Sequence, residues 1–353
     1  MTLFEEVLQQ SGFWTSTGPF SHIVLSSRLR LARNMLSVPF PGRMADDETF
    51  PIRGAIERFA RESAYRGHVS IIDLKDVDAN EKRFLRERNI ITYEMEVADN
   101  SMVALDGIDD FSILVNEEDH FRIQVIRPGL QLMETYKTAD RVDTELNRFV
   151  PYAFSDELGY LTACTSNLGT ALRVSVLLHL PVITIKNAVQ ELIPEDKKNS
   201  MEIKGTIGKS SKTLGGLYQL SNRISLGPSE VDIIESVDEV VGRILENEDN
   251  RRDEYFSESR TEIEDMVWRS YGTLLYSRRI SYIEAMDHCS NVRLGIVLAV
   301  IKNIDVKSIN DIMVNIQWAH LQRHYALLFK STAECDEYRA DYIRKIMQTF
   351  EVK

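Results

Sequence analysis

Cysteine is scarce in this 353-residue sequence: Cys164, Cys289 and Cys335 are the only three, an odd number set far apart. They form no CxxC pair, which excludes zinc-ribbon spacing and leaves no disulfide framework to read. That usage fits a reducing, cytoplasmic compartment and no structural metal. No uninterrupted apolar run reaches about 18 residues, so no membrane-spanning helix is expected. The opening MTLFEEVLQQSGFW has two early glutamates and neither a basic stretch nor a long apolar one, so no signal peptide is expected either. Positive charge is in deficit: 42 Lys+Arg against 54 Asp+Glu leaves a net charge of −12. Such a chain is poorly suited to general nucleic-acid binding, which works by neutralising phosphates. Low-complexity segments and internal repeats are also missing. Any arginine cluster in so acidic a chain therefore stands out.

At about 150 residues per domain the length suggests two domains. Residues 68–74, HVSIIDL, read as a strand. Residues 111–126 read as two strands around a polar tip, because Ile113 and Val115 alternate on the way in and Phe121, Ile123 and Val125 on the way out. Leu172, Val174, Val176 and Leu178 alternate again. Strands and helices do not alternate as βαβα, so the reading is α+β with an antiparallel sheet rather than a doubly wound parallel one. From about residue 229 the period becomes helical, through Ile233–Leu245 and Ile263–Leu275, and Ser281-Tyr-Ile-Glu284 has the form of a capping box. The tail from about Leu321 to Phe350 is also helix-like. The polar run 246–254, ENEDNRRDE, reads as a helix surface or a linker. A boundary is expected near residue 245, dividing a unit of residues 1–245 from an all-helical unit of residues 246–353.

Four segments could carry chemistry. In Ser26-Ser27-Arg28-Leu29-Arg30-Leu31-Ala32-Arg33-Asn34, an extended backbone turns Arg28 and Arg30 to one face and the leucines to the other. Two guanidinium forks on one face suit a polyphosphate, though an exposed basic strand is the plain alternative. In Asn116-Glu117-Glu118-Asp119-His120-Phe121-Arg122, three consecutive acids at a hairpin tip repel one another and need a cation to hold them together. A guanidinium is such a cation, and a carboxylate can align it and take its proton; a solvated acidic turn is the alternative. Cys164 lies among small polar residues in Gly159–Arg173, a loop able to approach a ligand, although a lone cysteine is more often a small buried hydrophobe. In 203–211 the piece Gly208-Lys209-Ser210 imitates the end of a P-loop, but the first glycine of that motif would have to be Ile203, so no P-loop is assigned. His320 and His324 are spaced i,i+4 without an HExxH pattern and read as structural.

Taken in order, SSRLRLARN, NEEDHFR, GYLTACTSNLGTALR with LHLP, and GLYQLSNRISLGPSE resemble the phosphagen (guanidino) kinases over residues 24–230. The resemblance implies that family's catalytic fold, similar to that of glutamine synthetase, with Mg²⁺ and ATP as the phosphoryl source. It further implies that Arg28, Arg30, Arg122 and Arg173 hold the ATP phosphates, with Lys204 where the family places a fifth arginine. Glu118 then aligns the substrate guanidinium, with Glu117 beside it, and Cys164 is the reactive cysteine near that guanidinium. Only about 23 residues precede the SSRLR segment, and the tail, including ISYIEAMDHCSNVRLGI, is similar to the extension of the branch that phosphorylates arginine side chains in proteins. That branch implies protein substrates with exposed arginines, a homodimer, a zinc-binding activator and an unfoldase of the ClpC type. It also implies a phosphoarginine-reading motif, matched here by Asp336 and Arg339, with Cys335 in place of the motif's first arginine.

The sequence departs from the family at Lys204, at Lys209 where a glutamate is common, at Thr165 where a proline is usual and at Ala171 where a glycine is common. Lysine keeps the charge of arginine and loses its planar fork. These departures keep two other readings open: a catalytically weakened adaptor binding phosphoarginine or an unfoldase, and a kinase for a free guanidino compound.

Overall fold

The computed structural model describes residues 16–98, 100–107, 111–205 and 213–351; Lys209 lies outside them. The described strands are β1 (Val24–Arg33), β2 (Val69–Asp73), β3 (Met102–Asp106), β4 (Phe111–Val115), β5 (Phe121–Pro128), β6 (Phe154–Ser155), β7 (Gly159–Tyr160), β8 (Leu172–His179), β9 (Met201–Gly205) and β10 (Leu217–Asn222). Eight of them form one antiparallel sheet in the order β2-β3-β4-β5-β1-β8-β10-β9, while β6 and β7 make a small hairpin. The described α-helices are α1 (Phe50–Glu62), α2 (Ala79–Glu87), α3 (Tyr93–Val97), α4 (Leu132–Asn147), α5 (Pro181–Ile185), α6 (Glu230–Glu258), α7 (Arg260–Tyr276), α8 (Tyr282–Val297), α9 (Val306–Asn315), α10 (Trp318–Tyr325) and α11 (Thr332–Glu351). The α+β antiparallel sheet and the helical C-terminal region are as the periodicity predicts.

Strand parity divides the sheet into two unlike faces. Leu29 and Leu31 pair across strands with Val125, Ile123, Val174 and Leu172, and all are buried in the main core. Helices α4 and α6 cover that back face, burying Val142 and Leu146 from one and Val237, Val241 and Ile244 from the other. On the front face, Arg28, Arg30 and Ala32 are flanked by Ile126, Gln124 and Arg122 on β5 and by Ser175 and Arg173 on β8. Two blocks close parts of this front face. At the β2–β4 end, α2 and α3 pack Phe84, Leu85 and Met95 on Val103, Leu105 and Leu114, joined by Ala319 of α10. At the other end Leu25, Leu177 and Leu217 enter the core of the helical unit with Met286, Val292 and Met313. The arginines lie in the gap between the two blocks.

The segment 246–254 is helix rather than linker, and it faces outward except at Glu248, whose buried carboxylate accepts from Val182 N and Ile183 N. Helix α6 runs unbroken through residue 245, with its first half in the main core and Tyr255 and Phe256 against the helical core. The capping box expected at Ser281 is present: its hydroxyl accepts from Glu284 N, and the Glu284 carboxylate returns to Ser281 N. The helix-like tail is two helices, broken where Ala326 adopts a left-handed backbone. His320 is buried and bonds Glu87, whose carboxylate also accepts from the backbone N–H groups of Ala319 and His320 at the start of α10. That carboxylate complements the N-terminal dipole of α10 and ties α2 to the helical unit. A second tie is Arg293, fully buried and, among the described residues, bonded to no carboxylate: it donates to Ser21 O, His22 O, Asn310 Oδ1 and His179 Nδ1. Burial lowers its pKa to about 9.

Candidate active site

The front-face arginines are electrostatically crowded. Arg28 donates to Ser175 Oγ at 3.3 Å and to Gln219 Oε1 at 3.0 Å, neither of which carries charge. Its pKa falls to about 10, through burial first and then the repulsion of Arg122 and Arg173. Arg30 is pushed well below the usual arginine value by burial and by Arg28, Arg122 and Arg173, and its Nε is buried with no hydrogen-bond partner. The Nε of Arg173 is buried and unpartnered as well. Buried N–H donors are rarely left unpaired, and like charges do not gather without a counter-charge. A polyanion along this row would supply both.

One anion is already present, from a residue outside the four segments singled out by their sequence, Glu202. Glu202 pairs with Arg173 and, at 2.7 Å, with Lys204 Nζ. Glu202 and Lys204 alternate on β9, so the same period-two argument that grouped Arg28 with Arg30 would have found them. The ammonium of Lys204 is 64% exposed, far more than the arginines of the row.

The acidic turn splits into three roles. Glu117, 5% exposed, pairs with Arg122 Nη1 at 2.6 Å. Glu118, 43% exposed, receives Arg122 Nη2 at 3.1 Å and Asn167 Nδ2 at 3.4 Å on one oxygen. Asp119 turns inward, fully buried, and accepts from Asn34 Nδ2 at 2.7 Å and from Ala163 N at 2.8 Å. His120 is also buried; it donates N–H to Asn34 Oδ1, accepts Met35 N on Nδ1 and donates Nε2–H to Pro39 O. The end of β1, the turn and the Cys164 loop are therefore one hydrogen-bonded unit. Arg122 supplies the cation the acids need, leaving Glu118 as their accessible member.

Cys164 stands beside this turn, half-buried, with Sγ 3.0 Å from Ser166 Oγ. Its loop depends on close backbone approach. Gly169 has φ +98°, and a Cβ there would lie 2.1 Å from Ser225 O; Gly159, at φ +70°, stacks on Gly169 in the same way. Ala171 holds φ +52°, a left-handed conformation that glycine adopts at less cost than alanine. Thr165 opens a short 3-10 turn, where proline would be compatible. Arg33, by contrast, falls on the back-face parity: it bonds Asp143 at 2.7 Å and lies 3.5 Å over the Tyr160 ring, an internal brace.

The site therefore unites Arg28, Arg30, Arg122, Arg173, Lys204, Glu117, Glu118 and Cys164. Asp336 and Arg339 lie apart from it. Arg339 is 3% exposed, and its guanidinium is committed to Ile316 O, Ile280 O, Asp336 and Cys335 Sγ.

Residues 52–251 match the family described as "ATP:guanido phosphotransferase, C-terminal catalytic domain", and residues 260–353 match "Protein-arginine kinase McsB C-terminal domain". Among relatives, the protein-arginine kinase of Symbiobacterium thermophilum is 38% identical over 319 residues, 89% of this chain and 90% of that protein. That of Bacillus subtilis (strain 168) is 37% identical over 319 residues, covering 89% and 87%. Among solved structures, the duplicated taurocyamine kinase of Schistosoma mansoni with bound transition state analog components superposes with a TM-score of 0.59 at 22% identity, over 72% of this chain and 38% of that one. Lombricine kinase superposes with a TM-score of 0.57 at 21% identity, over 66% and 68%. The chain belongs to the ATP:guanido phosphotransferase family and is a phosphotransferase whose acceptor is a guanidino nitrogen.

Proposed function

We propose that this enzyme transfers the γ-phosphoryl group of ATP to the guanidinium of arginine side chains in proteins. The observation that carries the proposal is the crowded row of Arg28, Arg30 and Arg173, in which the buried Nε donors of Arg30 and Arg173 have no partner and which ends beside an exposed carboxylate at Glu118. The row suits a triphosphate, and Glu118 suits the cationic acceptor. In the transfer the bond between Pγ and the ADP oxygen breaks, a bond between Pγ and the guanidino nitrogen forms, and that nitrogen gives up one proton. In this reading Glu118 aligns the guanidinium and receives the proton, Glu117 fixes Arg122 near the transferring group, and Cys164 orients the acceptor from the loop side. Phosphoryl transfer needs positioning and neutralisation of spreading charge more than covalent help, and the arginines supply both.

Among the described residues no three His, Cys, Asp or Glu side chains gather into a metal-binding group. That donor set fits an Mg²⁺ ion carried on the nucleotide's own phosphates, where it would offset their charge. Glu202 holds Arg173 and Lys204 until the nucleotide takes its place.

The accessibility of Glu118 and of the exposed residues Ala163, Thr165 and Ser166 supports an acceptor presented on a protein surface. Kinship with protein-arginine kinases supports that acceptor class. It also extends the proposal to a cytoplasmic homodimer, a zinc-binding activator and a ClpC-type unfoldase as partners, and to a working division into residues 1–245 and 246–353. For Asp336 and Arg339 the geometry supports a holding role inside the helical unit; reading phosphoarginine would require Arg339 to release the acceptors it now holds. The test is to incubate the enzyme with Mg-ATP and either a denatured protein or free arginine. Acid-labile phosphate on the protein alone is the expected result. Transfer to free arginine alone would replace the proposed acceptor with a small guanidino compound, and transfer to neither would leave an adaptor.

A further inference from the structure

The loop that carries Cys164 is held from two sides, and both supports end in exposed apolar residues. On one side stands the β6–β7 hairpin: Leu158 O accepts from Gly169 N at 2.8 Å, and Tyr160 N donates to Gly169 O at 2.8 Å. On the other stands the segment that follows β10: Thr170 N donates to Ser225 O at 3.0 Å, and Ser225 Oγ donates to Leu168 O at 2.9 Å. Gly169 touches both supports, since a Cβ on it would lie 2.6 Å from Leu226 Cα, and one on Gly159 would lie 2.4 Å from Gly169 O.

The backbone of these supports is spent on the loop, while their large side chains face out. Phe154, Leu158, Ile224 and Leu226 are each between 42% and 54% exposed. Ser225 between the last two is buried, so Ile224 and Leu226 turn outward together. Phe154 keeps its place through an edge contact with the Tyr160 ring, 5.3 Å between centroids, and Tyr160 in turn stacks on Arg33. Single exposed leucines are ordinary on a protein surface, whereas a group of apolar side chains bordering one loop marks an interaction site. The hairpin turn adds two exposed acids to this border, Asp156 and Glu157.

The same loop reaches the acceptor end of the site, where Asn167 Nδ2 donates to Glu118 at 3.4 Å. An arginine whose guanidinium lies at Glu118 sits at the end of a long side chain, so its backbone runs over the rim of the site. At about 3.3 Å per residue in an extended segment, its nearest neighbours cross the loop and the two supports. The acidic hairpin turn suits a chain that carries cations and disfavours an anionic membrane surface. We propose that Phe154, Leu158, Ile224 and Leu226 form a docking lip for apolar side chains flanking the target arginine, so that the enzyme selects arginines by their sequence context. This inference rests on the reading of a protein arginine as the acceptor. The contact is the same before and during transfer, so it acts through KM and leaves kcat unchanged.

The test compares two synthetic peptides, each with one arginine, flanked on both sides by leucine and valine or by serine and glycine. Initial rates at saturating Mg-ATP give kcat and KM for each. Wild-type enzyme is expected to favour the apolar flanks by about tenfold in kcat/KM, through KM, as burial of one leucine-sized side chain allows. In the double variant Phe154→Ser, Leu226→Ser that preference should fall to within about twofold, because the apolar-flanked peptide loses its advantage. Unchanged ATP affinity reports that the variant is folded. Absence of any flank preference in the wild type, a preference that survives the double variant, or equal loss of both peptides by the variant would each overturn the proposal. Light scattering covers the other occupant: a change of oligomeric state in the double variant with the flank preference intact would assign the lip to a second copy of the chain and overturn it as well. Phosphorylation of neither peptide by the wild type would instead overturn the protein-arginine reading beneath it.

Discussion

Replacing Asp119 tests whether the acidic turn and the cysteine loop work as one piece. Its carboxylate is fully buried and accepts two hydrogen bonds, from Asn34 Nδ2 at 2.7 Å and Ala163 N at 2.8 Å. Hydrogen bonds to a charged group contribute about 1.5–3 kcal/mol each. Asp119→Ala loses both and leaves the Ala163 N–H unpaired. One term offsets this: the second carboxylate oxygen is buried without a partner, and removing it recovers roughly 1–3 kcal/mol. The net expectation is a destabilisation of about 2–4 kcal/mol, within the roughly 5–15 kcal/mol available to a folded protein. The effect on rate should exceed the effect on binding. Glu118 and Cys164 sit on the two segments that Asp119 joins, and a displacement of about 1 Å in a reacting group costs on the order of 100-fold. Arg28, Arg30 and Arg173 are held by strand pairing instead, so ATP affinity should stay within about twofold. Asp119→Asn keeps an accepting oxygen and should fall between wild type and alanine in stability and kcat. The assays are urea denaturation, ATP titration and initial rates of phosphoryl transfer. A folded Asp119→Ala protein with wild-type kcat, or one losing ATP affinity in step with kcat, would refute the reasoning.

Arg30→Met should weaken ATP by about 10- to 100-fold, equivalent to one lost charge-assisted contact, and yet raise the melting temperature of the nucleotide-free protein, because it removes a buried cation repelled by three others; a lower melting temperature without nucleotide would contradict the crowding argument. His120 and His179 are both held neutral, their pKa values lowered chiefly by burial, and each accepts a hydrogen bond on Nδ1, from Met35 N and Arg293. Their contribution to stability is complete above the unfolded histidine value near ~6.5 and is lost as the pH falls below it, by up to ~1.4 kcal/mol per pH unit for each residue. Urea midpoints should therefore drop between pH 7.5 and 5.5, and a midpoint that holds or rises would count against it. Cys164→Ala should lower kcat and alter the pH–rate profile while leaving ATP affinity unchanged; an unaltered rate and profile would remove Cys164 from the chemistry.

Period-two patterning explains why so much of the sheet was legible in advance. Alternation at 111–126 and 172–178 places β4, β5 and β8, and the parity of Arg28 and Arg30 against Leu29 and Leu31 already separates a polar front from an apolar back. Long-range partners were out of reach. Nothing local says that Asp119 would turn inward to Asn34 and Ala163, 85 and 44 residues away, while its neighbours Glu117 and Glu118 turn to Arg122. Period-two spacing groups Glu202 with Lys204 on one face of β9, but only the β9–β10–β8 pairing brings that face to Arg173. The buried state of Arg339 and the contribution of α8 and α9 to the cleft beyond Arg28 depend on how the helical unit docks, which hydrophobic periodicity does not encode.

The central claim is that Glu118 ends an arginine-lined triphosphate track and faces a protein arginine. Phosphorus-31 NMR of a mixture of enzyme, Mg-ATP and a denatured arginine-rich protein tests it most directly, run in parallel with Glu118→Ala. Glu118 is 43% exposed, so the substitution should spare the fold. The account predicts an acid-labile phosphorus–nitrogen signal on the acceptor protein that grows as the ATP γ-phosphate signal falls. In Glu118→Ala that signal should be absent although ATP still binds. Acid-stable phosphate on hydroxyl side chains, or an undiminished phosphorus–nitrogen signal in Glu118→Ala, would contradict it.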